Sequence, residues 1–285
     1  MPLNILLFPG QGSQFQGMGV DLFQEFPETV AVANRILGYD VAELCKNNPD
    51  NLLNQTNYTQ PALFVVNYLT YQNYLKENKA PDYFLGHSLG EFNALNAAGV
   101  FDFETGLQIV QKRGELMLSI NGTGMAAVLG GDYESVKAIL DSNFPELDIA
   151  NINTHSQIVI SGPLNLLDTA ADFIEDEGLG YIPLKVSGAF HSRYMTPVKE
   201  RFKNYVETMK LEPCSVPVIS NYTANLYPTA TNGVLTNMVN QIDSPVKWLQ
   251  SIEFVMAKGE CDFTEVGPGE VLTNVLKKIK SNVVL

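Results

Sequence analysis

A serine framed by two glycines, in Phe84-Leu85-Gly86-His87-Ser88-Leu89-Gly90-Glu91, is the stretch of this sequence best suited to nucleophilic chemistry. It spells G-x-S-x-G, a pattern in which the serine occupies a sharp turn between a strand and a helix. Gly86 and Gly90 suit a turn so tight that the two backbones pass with no room for side chains. A serine hydroxyl is a weak nucleophile and needs a base within hydrogen-bond reach. The chain has three histidines, so the search is short. His87 adjoins Ser88 and is pointed elsewhere by the turn, which suits it to lining a pocket. His155 falls between two expected strands, where an exposed polar residue is the plainer reading. His191, in Gly188-Ala189-Phe190-His191-Ser192, is the candidate base under the logic of the serine triad.

A third triad member is not evident. An α/β-hydrolase places a carboxylate between serine and histidine in chain order. Here the acids of that interval lie mostly in what reads as an inserted unit, and Asp102 and Glu104 can simply cap a helix. A Ser–His dyad with its imidazole oriented by a neutral acceptor fits better than an ordinary esterase. Two further features carry chemistry or nothing. The loop Pro9-Gly10-Gln11-Gly12-Ser13-Gln14-Phe15-Gln16-Gly17-Met18-Gly19 is either flexible or a source of a backbone N–H near Gln11 for an oxyanion at Ser88. It lacks the Gly-Lys-Ser/Thr of a phosphate loop. Arg113 is either solvated on a helix or turned into a pocket, where its fork would recognise a carboxylate.

The elements that must hold these residues alternate strand and helix, which argues for a parallel sheet covered on both faces. Ile5–Phe8 and Asp82–Leu85 read as buried strands, with Leu89–Ala98 a helix stopped by Gly99. Further helices are expected over Asp21–Phe26, Pro27–Leu37, Thr59–Leu75 and Asp102–Ser119. The aromatic residues Phe64, Tyr68, Tyr71 and Tyr74 read as packing and not as a cofactor box. From Met125 to Val186 the order becomes β-α-β-β-α-β, the ferredoxin-like signature, bracketed by Gly122, Gly124 and Gly188. The expected division is a large core, 1–122 and 189–285, with a small ferredoxin-like subdomain at 123–188. The core resumes with a strand at Pro217–Asn221, a helix from Ser244-Pro245 to Met256, a strand at Cys261–Val266 and a last helix over Glu270–Ile279.

Composition bounds the function classes. The 285 residues carry a formal charge of −13, which opposes general nucleic-acid binding. Three scattered cysteines (Cys45, Cys214 and Cys261) form no metal or disulfide pattern, so no metal is expected and a reducing cytoplasm is the expected compartment. The N-terminus lacks the basic region of a signal peptide, and no apolar run is long enough to span a membrane.

Five stretches together resemble the malonyl-CoA:acyl carrier protein transacylases, in order and over essentially the whole chain. They are Phe8-Pro9-Gly10-Gln11-Gly12-Ser13-Gln14, the Ser88 elbow, Gln111-Lys112-Arg113-Gly114, Gly188-Ala189-Phe190-His191-Ser192 and Glu265-Val266-Gly267-Pro268-Gly269. Residues 53–63 and 101–107 look most like the discrete, trans-acting acyltransferases that serve polyketide synthases. The resemblance implies that Ser88 takes the acyl group and that His191 acts as base, then acid. It implies an oxyanion hole from the backbone N–H groups of Gln11 and Leu89, and a malonyl carboxylate paired with Arg113. It further implies that the Gln241 carbonyl orients His191 and that Phe190 restricts the pocket, which His87 also lines. Malonyl-CoA would be the donor, with no bound cofactor, and a phosphopantetheinylated acyl carrier protein the partner. A hydrolase of the same fold, or a docking subunit with a vestigial site, are the alternative readings. Lys199, Arg201 and Lys203, or Lys277, Lys278 and Lys280, are the candidate basic groups for meeting an acidic carrier.

Overall fold

The computed structural model describes residues 1–281. Among these, eight strands form two sheets. In chain order they are β1 (Leu3–Phe8), β2 (Tyr83–Gly86), β3 (Thr123–Leu129), β4 (Asp148–Thr154), β5 (Gln157–Pro163), β6 (Gly180–Pro183), β7 (Val218–Ile219) and β8 (Cys261–Glu265). The first sheet, in the order β7-β2-β1-β8, is parallel at every pairing. Its central strand β1 is buried on both faces, as a helix-covered parallel strand must be. Side-chain alternation divides it: Leu6 and Phe8 enter one buried cluster and Ile5 and Leu7 another.

The second sheet, in the order β4-β5-β3-β6, is antiparallel throughout. Its strands come from the β-α-β-β-α-β stretch in the order expected of a ferredoxin-like unit. Ala126, Val128, Ile158 and Ile160 share a cluster with Leu140, Leu167 and Ile174 from its own helices, and with Ile5, Leu7 and Leu85 of the parallel sheet. The opposite face carries Met125, Ala127 and Val159. One-residue alternation thus gives the small sheet a core face and a second face turned toward Ser88.

Several boundaries differ from the expectation. The helix expected at Thr59–Leu75 runs Thr56–Glu77. Phe64 and Tyr68 pack on Phe103, and Tyr71 meets Phe8 and Phe84 edge-on, so these aromatics serve packing. The helix expected from Ser244 begins at Trp248 instead. The backbone before it is spent on the other sheet, because Val246 N–H donates to the Ala150 carbonyl and Val246 O accepts from Ile152 N–H. Helices at Val41–Asn47, Thr196–Val206 and Thr231–Asn240 had no counterpart in the sequence reading. The last is rich in Thr, Asn and Gly, poor helix formers, and burial of Val234 and Met238 overrides that propensity. No helix among the described residues is long and apolar enough to cross a membrane.

The glycines at the strand ends set how closely these layers meet. A Cβ at Gly90 would lie 2.0 Å from the Phe8 carbonyl oxygen, and one at Gly86 2.0 Å from the Gly90 carbonyl carbon. Backbone, unlike a side-chain tip, cannot step aside. Gly90→Ala is therefore expected to destabilise the fold by about 3 kcal/mol or more through overpacking, read as a lower urea midpoint at unchanged slope. A midpoint within experimental error of the parent would show that the strand–helix junction can open.

Candidate active site

Ser88 sits at the carboxyl end of β2, between Gly86 and the helix Gly90–Ala97, where a parallel sheet presents its ligand-binding edge. Its φ of 52° is left-handed, a conformation that costs a non-glycine residue roughly 1–3 kcal/mol and persists only when its surroundings hold it. Those surroundings are polar and specific. The Ser88 N–H donates to Asn221 Oδ1 at 2.7 Å, and its carbonyl accepts from Gln241 Nε2 at 2.7 Å. Asn221 also donates from Nδ2 to the Gly86 carbonyl at 2.7 Å, so one side chain after β7 clamps both sides of the turn.

His191 Nε2 lies 2.7 Å from Ser88 Oγ, and Nδ1 lies 2.8 Å from the Gln241 carbonyl oxygen. A carbonyl can only accept, so Nδ1 carries the proton and Nε2 is left free to accept one from the serine. His191 is buried, with φ of 59°. Burial, reinforced by the nearby Arg113 charge, pushes its imidazole down to about 3, which keeps it a neutral base.

Arg113 is buried whole behind this pair. Nη2 donates to Ser88 Oγ at 3.1 Å and to Gln241 Oε1 at 3.0 Å, and Nη1 to Gln60 Oε1 at 2.6 Å. Its plane rests on the Phe92 ring, 5.2 Å from the centroid. Nε has no partner, and every partner of the two Nη atoms is neutral. Desolvation brings the guanidinium down to about 9 despite help from Glu91.

Glu91 was the acid the sequence search passed over. It is fully buried one helical turn beyond Ser88 and accepts from Tyr227 Oη, from Gln241 Nε2 at 2.9 Å and from Asn221 N–H at 3.2 Å. It does not touch His191. Burial raises its carboxyl to about 7, against the pull of these donors and of Arg113. Gln60, Asn221 and Tyr227 were missed too. Glu91 and Gln60 lay inside stretches already singled out, and Asn221 could have been sought at a strand's carboxyl end.

A cavity of about 260 Å³ opens over Ser88. Met125, Ala127 and Val159 of the small sheet form one wall, with Phe190, Leu184 and Val186 beside them. His87 lines it with Nε2 2.9 Å from Asn153 Oδ1. Gln11 and Ser88 also border it, and no Asp, Glu, Lys or Arg does. The Gln11 loop is pressed against the elbow, since a Cβ on Gly10 would lie 3.6 Å from Leu89 N and 2.3 Å from the His87 carbonyl oxygen. Leu89 precedes the first turn of its helix, where N–H groups lack intrahelical partners. His191 also borders a wider, open cleft of about 770 Å³ on its other side. There Lys199 is tied to Asp243 at 3.0 Å, which cancels its charge locally, whereas Arg201 and Lys203 are exposed. His155 lies in the turn between β4 and β5, 3.5 Å from Glu253 and away from this pocket. Among the described residues no cluster of His, Cys, Asp or Glu is placed to hold a metal ion.

A serine on a strained elbow, a neutral histidine held by a carbonyl and a buried cation beside both make a site for acyl transfer. The chain belongs to the acyl transferase domain family, whose pattern it matches over residues 5–283. It is 49% identical over 280 residues to the polyketide biosynthesis malonyl CoA-acyl carrier protein transacylase PksC of Bacillus subtilis, spanning 97% of this chain and 96% of that protein. A crystal structure of a malonyl CoA-acyl carrier protein transacylase from Burkholderia pseudomallei superposes with a TM-score of 0.95 at 42% identity, covering 99% of both chains. A malonyl-transacylase solved in complex with a type II polyketide synthase acyl-carrier protein superposes at 0.91 with 33% identity, over 98% of this chain and 93% of that one.

The depressed His191 pKa has a consequence for stability. In the unfolded chain the imidazole titrates near 6.5, and in the fold near 3, so between these values the unfolded state binds more protons. Stability from this group is present above about pH 6.5 and is lost as pH falls. Relative to His191→Gln, the parent should lose about 2 kcal/mol between pH 7 and pH 5, measured by urea unfolding at both. Parallel pH profiles for the two proteins would mean that folding leaves the titration of this imidazole unshifted.

Proposed function

We propose that this protein transfers a malonyl group from malonyl-CoA to the phosphopantetheine thiol of an acyl carrier protein, through an ester on Ser88, to supply extender units for polyketide synthesis. The observation that carries this reading is the Arg113 guanidinium, buried and 3.1 Å from the Ser88 hydroxyl. A simple acyl group gives such a cation nothing to bind, whereas the free carboxylate of a malonyl ester does. The names of its relatives support the same donor and acceptor, and 49% identity to a polyketide-pathway protein supports the assignment to polyketide synthesis.

Ser88 Oγ attacks the thioester carbonyl as its proton passes to His191 Nε2. The carbonyl oxygen becomes an anion, for which the N–H groups of Gln11 and Leu89 are the proposed donors. Collapse breaks the carbon–sulfur bond, and the thiolate of CoA takes the proton from His191. In the second half-reaction the carrier's thiol gives its proton to His191 and attacks the ester, and Ser88 is reprotonated. The Gln241 carbonyl holds the Nδ1 proton throughout, so that Nε2 is the atom that accepts and returns the travelling proton. No bound cofactor enters this scheme. In this reading 1–122 and 189–285 carry the reacting groups, while 123–188 walls the pocket through Met125 and Ala127. Phe190 narrows the same pocket against branched acyl groups. The cytoplasm is the compartment we propose, in keeping with three unpaired cysteines.

Intact-mass measurement after mixing with malonyl-CoA tests the ester: Ser88→Ala should carry no adduct and lose transfer roughly 10³-fold or more. A malonyl adduct retained elsewhere in that variant overturns the assignment. Arg113→Ala should cost roughly 2–5 kcal/mol in kcat/KM for malonyl-CoA and clearly less for acetyl-CoA. Equal losses would make Arg113 structural.

A further inference from the structure

Glu91 stands apart from the steps just described, yet it is the carboxylate nearest the one cation they use. It lies on the helix that starts at the elbow, fully buried, with its oxygens met by Tyr227, Gln241 and Asn221. The titratable groups that face it are Arg113 from the helix Phe103–Leu118, Tyr227 from the segment after β7, and Cys214 from the stretch before it. His191 faces Arg113 in turn. Of these only Arg113 is cationic, because burial keeps His191 neutral and Tyr227 and Cys214 protonated. Glu91 is therefore the counter-charge of Arg113, connected to it through the Gln241 amide, which donates to Glu91 and accepts from Arg113.

A malonyl ester on Ser88 changes that balance. Its carboxylate brings a second negative charge to a guanidinium already neutralised, in a space with little water to screen two anions. We propose that Glu91 and the substrate carboxylate compete for the one buried guanidinium, so that malonylation of Ser88 is accompanied by uptake of a solvent proton at Glu91. The proton leaves again when the acyl group departs and Arg113 recovers its original counter-ion. Burial already holds the Glu91 carboxyl at about 7, so a modest further push protonates it at neutral pH. A protonated Glu91 still accepts from Gln241 Nε2, and the carbonyl that aligns His191 stays in place. Glu91 is thus a positioning residue whose charge follows the occupancy of the site. A monocarboxylic acyl group brings no second anion and triggers no uptake.

This inference rests on the malonyl-transfer reading, and one experiment separates the two. Enzyme and malonyl-CoA are mixed in weak buffer at pH 7.5 with a pH indicator, and ester formation is counted by intact mass. Absence of the Ser88 ester would defeat the transfer reading itself. With the ester formed, the parent should take up roughly half to one proton per ester more than Glu91→Gln, whose baseline includes partial ionisation of released CoA. Equal uptake by the two proteins, or none by the parent, overturns the proposal. Infrared difference spectra of the parent alone cover the case in which the variant does not fold. With ¹³C-labelled malonyl-CoA, a new unlabelled protonated-carboxyl band should appear on acylation, and its absence counts against Glu91.

Discussion

A guanidinium buried whole is the constraint from which the rest of this site follows. Removing an ion from water costs several kcal/mol even after relaxation, so the surroundings must repay it with partners. Arg113 receives three neutral oxygens and an aromatic face, with the nearest carboxylate one amide away. Those oxygens belong to Gln60, Ser88 and Gln241, so satisfying the cation also fixes Ser88 and the residue whose carbonyl aligns His191. The same positive charge helps keep that histidine neutral. Solvation of one charge and orientation of Ser88 and His191 are a single problem here, and one network answers it.

The parallel sheet contributes geometry and the antiparallel sheet contributes a wall. β1 and β2 end level with one another, with Phe8 opposite Gly86, so the Gln11 loop and the Ser88 turn leave the sheet side by side. Bare glycine backbones at positions 10, 86 and 90 let the two loops touch. The small sheet then covers the nucleophile with apolar side chains. The result is a neutral, mostly apolar cavity over Ser88 with a cation buried behind it.

Much of this was legible in the sequence because it depends on local rules. The elbow declared itself by two glycines around a serine, and the β-α-β-β-α-β order by alternating patterns with glycine at each border. His191 was found by elimination among three histidines. Glu91 was in plain view but was passed over, because the search sought an acid that orients histidine. This one serves arginine and glutamine instead. Tyr227 and Gln60 could not be read, since each becomes meaningful only when distant segments meet. The helix start at Trp248 was misplaced for a similar reason: Ser244-Pro245 is a fair cap locally, but a pairing with Ala150 and Ile152 claims the backbone first.

The cluster that joins Ile5, Leu7 and Leu85 to Ile158, Ile160 and Leu140 makes the inserted unit a poor candidate for modular exchange. A chimera that imports residues 123–188 from a relative, in the hope of importing its acyl preference, inherits a wall shaped to a different floor. Its outward face would reach the pocket correctly only if the inner face met side chains of matching volume on β1 and β2. The Val246 bridge adds a second fixed point outside the transplanted segment. Recombination within this family is therefore better cut to include β1, β2 and residues 244–248, so that the wall and the surface it leans on travel together.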